Sequence, residues 1–201
     1  MKKLIVISHP EILPNEPELL VTALDAGTHY VHLRKPNADA QAIANLLSRL
    51  PAQYMPQIVL HDAHHLATEY AVGGIHLNSR HPDAPAMWQG RVSRSCHTIE
   101  EIAAHKSNCH YQFLSPVYNS ISKSGYRSSF TTEQLLDARN KRIIDDSVVA
   151  LGGITPDNVT SALSMGFGGV ALLGCLWCNP NEEHIKQTIT EIKTKLLCYN
   201  S

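Results

Sequence analysis

Short apolar runs alternate along the chain with segments whose apolar residues recur every three or four positions. The runs lie at 4–8, 30–33, 57–61, 74–77, 91–95, 111–114, 148–151 and 169–173. They are rich in Val, Ile, Leu and Tyr and too short for helices, so they read as strands. Between them, residues 17–26 set Leu19, Leu20, Ala23 and Leu24 on one helical face before Gly27. Residues 39–50 do the same with Ile43, Leu46, Leu47 and Leu50 before Pro51. Shorter helices are predicted over 63–72 and 83–88. Another starts at a Thr98 cap with Glu101 three residues on, and residues 131–140 open in the same way. Pro156 suits a first helical position, with the helix ending near Gly166, and a last helix spans 182–197.

Strands that alternate with helices predict a parallel sheet with crossover connections. Eight such units in 201 residues leave about 25 residues each, the lower limit for a (β/α)8 barrel, which takes roughly 200. A doubly wound open sheet usually stops at fewer strands. The expected fold is therefore α/β, a single (β/α)8 TIM barrel, with one domain over 1–201.

Composition narrows the function. With 17 Lys+Arg against 18 Asp+Glu, the formal charge is −1, which speaks against a strongly basic nucleic-acid binder. No run approaches the roughly 18 apolar residues that span a bilayer. The N-terminal LIVI is shorter than a signal-peptide core and is followed at once by Ser8, His9 and Pro10. The expected location is the cytoplasm, with no membrane and no nucleic-acid partner. Five cysteines in a chain this long do not make a disulfide framework. Cys175 and Cys178 form C-x-x-C without a second pair and read as packing residues.

In a barrel, chemistry sits at the carboxyl ends of the strands. There the sequence has His9, Arg34-Lys35, His61-Asp62, Asn78-Ser79-Arg80-His81, Ser95-Cys96-His97, Ser115 and a loop with Ser120, Ser122, Lys123 and Gly125. Strands seven and eight end in Gly152-Gly153 and Gly174. Glycines after the last two strands let backbone N–H groups approach a phosphate, and a following helix N-terminus would add a favourable dipole. Hydroxyls with Lys123 suit a phosphate or pyrophosphate, and Arg34 suits bidentate phosphate contact. His61 and His65, four apart, would share a face if the turn were helical from His61. Asp62 alone is a better candidate for Mg2+, which prefers carboxylate and phosphate oxygens.

The chain resembles the thiamine phosphate synthase and thiazole tautomerase family. The resemblance covers about residues 26–175 and rests on GTHYVHLRK (27–35), IVLHD and GGIHL (58–77), SCHTIEE (95–101), LSPVYNSISKSG (114–125) and ALGGITPDNV (150–159), in that order and spacing. It implies a transferase that joins a hydroxymethylpyrimidine diphosphate to a thiazole phosphate, with Mg2+ as cofactor. It assigns Arg34 and Lys123 to the diphosphate and Ser95 to the pyrimidine diphosphate. Ser120 and Ser122 go to the thiazole substrate, and Gly153, Leu173 and Gly174 to the thiazole phosphate. His32 and His61 fall at substrate-binding positions, and Asp62 and His81 at metal positions. The strand-two pattern of the family, Gln-x-Arg-x-Lys, reads here His32, Arg34 and Pro36, with Lys35 one step early. His61 replaces an Asn, and His81 replaces a second metal carboxylate. An isomerase acting on a thiazole phosphate and a non-catalytic binder of thiamine precursors are the alternatives. The expected partners are phosphorylated small molecules, and a homo-oligomer is left open.

Overall fold

The computed structural model describes residues 1–119 and 129–199. Eight parallel strands close into a barrel in chain order. They are β1 (Lys3–Ile7), β2 (Tyr30–Leu33), β3 (Ile58–Leu60), β4 (Gly74–Leu77), β5 (Arg91–Cys96), β6 (Tyr111–Leu114), β7 (Val148–Leu151) and β8 (Gly169–Leu172). Each pairs with the next, and β1 closes the ring against β8 with Leu4 opposite Val170 and Ile5 opposite Ala171. The TIM barrel expected from the alternation is the fold observed.

Period-two alternation splits each strand between two cores. Leu4 and Val6 face outward into the large layer between sheet and helices. Ile5 and Ile7 face inward, where Tyr111, Phe113, Val149 and Ala171 join them. That inner cluster comes from β6, β7, β8 and β1. The other half of the ring sends polar groups inward: His32 from β2, His61 just after β3, His76 from β4, and Ser93 and Ser95 from β5. Of these, His32, His61, His76 and Ser93 are buried.

The helices are α1 (Glu16–Asp25), α2 (Ala40–Ser48), α3 (Leu66–Glu69), α4 (Ile99–His105), α5 (Thr132–Asn140), α6 (Val159–Ser164), α7 (Gly174–Trp177) and α8 (Glu182–Tyr199). Thr98 caps α4 by accepting from Glu101 N–H, and Thr131 caps α5 in a full capping box with Gln134. Three expectations are corrected. The helix over 83–88 is absent; Pro82 and Pro85 break the segment, which makes only a turn from Trp88 N–H to the Pro85 carbonyl. The helix after β3 is one turn that starts at Leu66, because Ala63 takes a left-handed conformation (φ 51°). His61 and His65 therefore share no helical face. The helix after β7 starts at Val159, not at Pro156, because the Asn158 carboxamide takes Thr155 N–H and holds 155–158 as a turn. Among the described residues no helix is long and apolar enough to cross a membrane.

Candidate functional site

The carboxyl ends of the strands surround one cavity of about 520 Å3. Its wall is divided like the barrel interior. On the β2–β5 side it carries Arg34, His61, Asn78, Arg80, Arg94 and Ser95. On the β7–β8 side it carries Leu151, Gly152, Gly153, Ala171, Leu173 and Gly174. Arg34, His61, Ser95, Gly153, Leu173 and Gly174, far apart in sequence, are thus brought together. His32 lies one pleat deeper, behind His61. Ser120, Ser122 and Lys123 lie outside the described residues.

A hydrogen-bonded network underlies the polar side. Tyr111 Oη lies 2.6 Å from His32 Nε2, and His32 Nδ1 lies 2.9 Å from His61 Nε2. His76 Nδ1 meets Ser93 Oγ at 2.8 Å, and its Nε2 meets Ser95 Oγ at 2.7 Å. Burial pushes His32 and His61 well below the usual imidazole value, and neighbouring rings and arginines push the same way. His76 is lowered to about 3, first by burial. The rings are therefore neutral, each with one donor and one acceptor nitrogen. The His76 imidazole fixes the Ser95 hydroxyl at the cavity floor. His32, His61 and His76 bring nitrogens within 4.8 Å of one another. However, His61 and His76 stack at 4.0 Å with planes 18° apart, so their lone pairs run side by side and do not converge on one ion.

Arg34 and Lys35 are neighbours with opposite fates. Arg34 lines the cavity. Lys35 is buried and bonds Glu16 Oε2 at 2.6 Å and the carbonyls of His9 and Glu11. Burial raises Glu16 and lowers Lys35, and their attraction opposes both shifts. Lys35 thus ties the β1–α1 loop and does not reach the cavity.

On the other wall, Gly152 and Gly153 have φ of 96° and 64°. A Cβ on Gly153 would lie 2.8 Å from the Tyr118 Cβ, and one on Gly152 2.9 Å from the Pro116 Cα, so only glycine fits. Asn158 Nδ2 donates to the Gly153 carbonyl at 2.8 Å and holds the turn. The dipole expected from the following helices is slight, since α6 starts six residues after Gly153 and α7 is one turn. Cys175 also borders the cavity, and burial pushes its thiol up to about 11, which makes it a poor nucleophile.

The family model described as thiamine monophosphate synthase matches residues 4–176. The chain belongs to the thiamine monophosphate synthase family. It is 25% identical over 185 residues to the thiamine-phosphate synthase of Geobacillus kaustophilus, covering 87% of this chain and 83% of that one. The crystal structure of thiamine phosphate pyrophosphorylase from Bacteroides thetaiotaomicron superposes with a TM-score of 0.87 at 34% identity, over 98% of both chains. Its counterpart from Pyrococcus furiosus, at 21% identity and a TM-score of 0.80 over 99% of this chain and 97% of that one, shares the fold. The family is one of transferases that join a pyrimidine and a thiazole moiety, and it uses Mg2+ in general.

The donor set at the two metal positions suits Mg2+ poorly. Asp62 Oδ1 accepts from Arg80 Nη2 at 2.7 Å and Nε at 3.2 Å, and His81 Nε2 lies 3.4 Å from the same oxygen. The other oxygen, Oδ2, is buried and has no hydrogen-bond partner. Mg2+ takes an octahedron of oxygens with one or two carboxylates. Here one carboxylate is already paired with a guanidinium, and its neighbour offers nitrogen. The only acid lining the cavity among the described residues, Glu101, accepts from His97 N–H.

Sequence reasoning placed Arg80 at a strand end without a role and missed Arg94 and His76. His76 was signalled by its inward parity in a strand otherwise free of polar side chains. Arg94 has outward parity between Ser93 and Ser95; its guanidinium donates to the Pro82 carbonyl, and the residue borders the cavity.

Proposed function

We propose that this protein joins a hydroxymethylpyrimidine diphosphate to a thiazole phosphate and releases pyrophosphate. The observation that carries the reading is the convergence of Arg34, Ser95, Gly153, Leu173 and Gly174 on one cavity with a cationic and a glycine-rich wall. In this chemistry the bond from the pyrimidine methylene carbon to the diphosphate oxygen breaks, and its electron pair leaves with pyrophosphate. The thiazole nitrogen then gives its lone pair to the methylene carbon and becomes a thiazolium. No protein nucleophile and no proton transfer are needed, so the protein contributes placement and electrostatics.

In this reading Arg34 and Lys123 stabilise the departing diphosphate. Ser95, fixed by His76, meets the pyrimidine half, and His61, backed by His32, forms its floor. Ser120 and Ser122 contact the thiazole. The amides at Gly153, Leu173 and Gly174 take its phosphate. Asp62 and His81 are the positions for Mg2+, but their donor set leads to no step through the ion. A cytoplasmic location, a single working domain and phosphorylated small molecules as partners go with the reading. Incubating the pure protein with both substrates should yield thiamine phosphate and equimolar pyrophosphate. Turnover of the thiazole phosphate alone, without the pyrimidine, would favour the isomerase instead, and ligand-induced stabilisation with no product would favour a binder.

A further inference from the structure

The mismatch at Asp62 points to a different source of positive charge. We propose that Arg80 stands where a divalent cation would, and that this protein grips its diphosphate through guanidinium groups without requiring Mg2+. The inference rests on the diphosphate reading given above.

Three observations converge. Arg80 reaches Asp62 Oδ1 with two of its nitrogens, and Asp62 is mostly buried, with 14% of its side chain exposed. A carboxylate that would anchor a metal instead anchors a fixed cation. Arg80 also lines the cavity, so the anchored guanidinium borders the space where the anion would sit. Its chain trace helps: Asn78 Oδ1 accepts from the N–H groups of Arg80 and His81, while Asn78 Nδ2 donates to the His61 carbonyl. The turn that carries Arg80 is thereby tied to the end of β3.

Charge supports the same conclusion. Among the described residues three guanidiniums line the cavity, Arg34, Arg80 (paired with Asp62) and Arg94 (which also donates to the Pro82 carbonyl), against the carboxylates of Glu101 and Asp62. A diphosphate ester brings two to three negative charges, which a set of arginines can balance through planar donor forks. A magnesium ion beside Arg80 would be repelled by it and would compete for the same Asp62 oxygen. His81, whose Nε2 lies 3.4 Å from Asp62 Oδ1, offers a nitrogen and not the second carboxylate oxygen that would favour the ion over the guanidinium.

The test is calorimetric titration with inorganic pyrophosphate, in excess EDTA and in millimolar Mg2+, for the wild type, Arg80→Gln and Arg80→Lys. Arg80 is half exposed, and melting curves verify that the variants fold. The wild type should bind with affinities within threefold in the two buffers. Arg80→Gln should lose at least tenfold in EDTA and recover most of it with Mg2+, which gains access to Asp62. Arg80→Lys, which keeps charge without the fork, should fall between. Wild-type binding that appears only with Mg2+, or an Arg80→Gln variant that binds in EDTA as the wild type does, overturns the proposal and leaves the diphosphate reading standing. Absence of binding in every buffer overturns both.

Discussion

The two halves of the barrel interior are built on different principles. The β6–β1 half is apolar, with Ile5, Ile7, Phe113, Val149 and Ala171, and ends at a rim of glycines and Leu173. The β2–β5 half is a network of neutral imidazoles and hydroxyls, and ends at a rim of arginines. One barrel thus offers anions two kinds of grip. On one side backbone amides come close because no side chain intervenes. On the other, long cationic side chains reach over a polar floor. In the proposed reaction the first suits a phosphate that stays attached throughout, and the second a diphosphate whose charge grows as it leaves, where fixed positive charge lowers the barrier.

Substitutions separate the contributions of the two halves. The largest effect is expected from Glu16→Gln, which would strand the buried Lys35 ammonium and destabilise the fold by about 3–5 kcal/mol. Chemical denaturation would measure it. A small loss would mean that the carbonyls of His9 and Glu11 suffice to hold the ammonium without its carboxylate partner. Arg34→Ala should cost about 2–3 kcal/mol in kcat/KM with little change in melting temperature; unchanged kinetics would remove the cationic wall from the reaction. Gly153→Ala forces a left-handed alanine, a strain of about 1–2 kcal/mol, onto a site with no room for Cβ. It should raise KM for the thiazole phosphate far more than for the pyrimidine diphosphate. Equal effects on both would contradict the division of labour between the two walls.

The histidine floor gives a pH signature. The folded-state value of His76 is about 3, below the unfolded 6.5, so between these values the unfolded chain binds the extra proton. Stability should be level above about pH 6.5 and fall as pH drops below it, by up to about 1.4 kcal/mol per pH unit for each such imidazole. His76→Asn should make that slope shallower. An unchanged slope would mean that His76 is not held neutral.

Much of the fold was legible because barrel strands are buried on both faces, so apolar runs stand out. The runs at 30–33, 74–77, 111–114 and 148–151 coincide with β2, β4, β6 and β7, and the others differ by one residue at one or both ends. The helix expected over 83–88 failed because proline chemistry overrode a weak pattern. Part of the candidate site was legible too: strand-end polarity picks out Arg34 and Ser95, and the glycine pair after β7 picks out Gly153, all of which line the cavity. What the sequence concealed were choices made across distant segments: that Arg80 pairs with Asp62, that Lys35 turns away from the cavity to Glu16 of α1, and that His32, His61 and His76 meet. Each depends on how distant segments are brought together, which no local spacing records.

The most direct test of two grips on one rim is a crystal structure with inorganic pyrophosphate and the thiazole phosphate both bound. Pyrophosphate should lie against Arg34 and Arg80, and the thiazole's phosphate on the amides at Gly153 and Gly174. Both anions on the same wall, or either one outside the cavity, would contradict that arrangement.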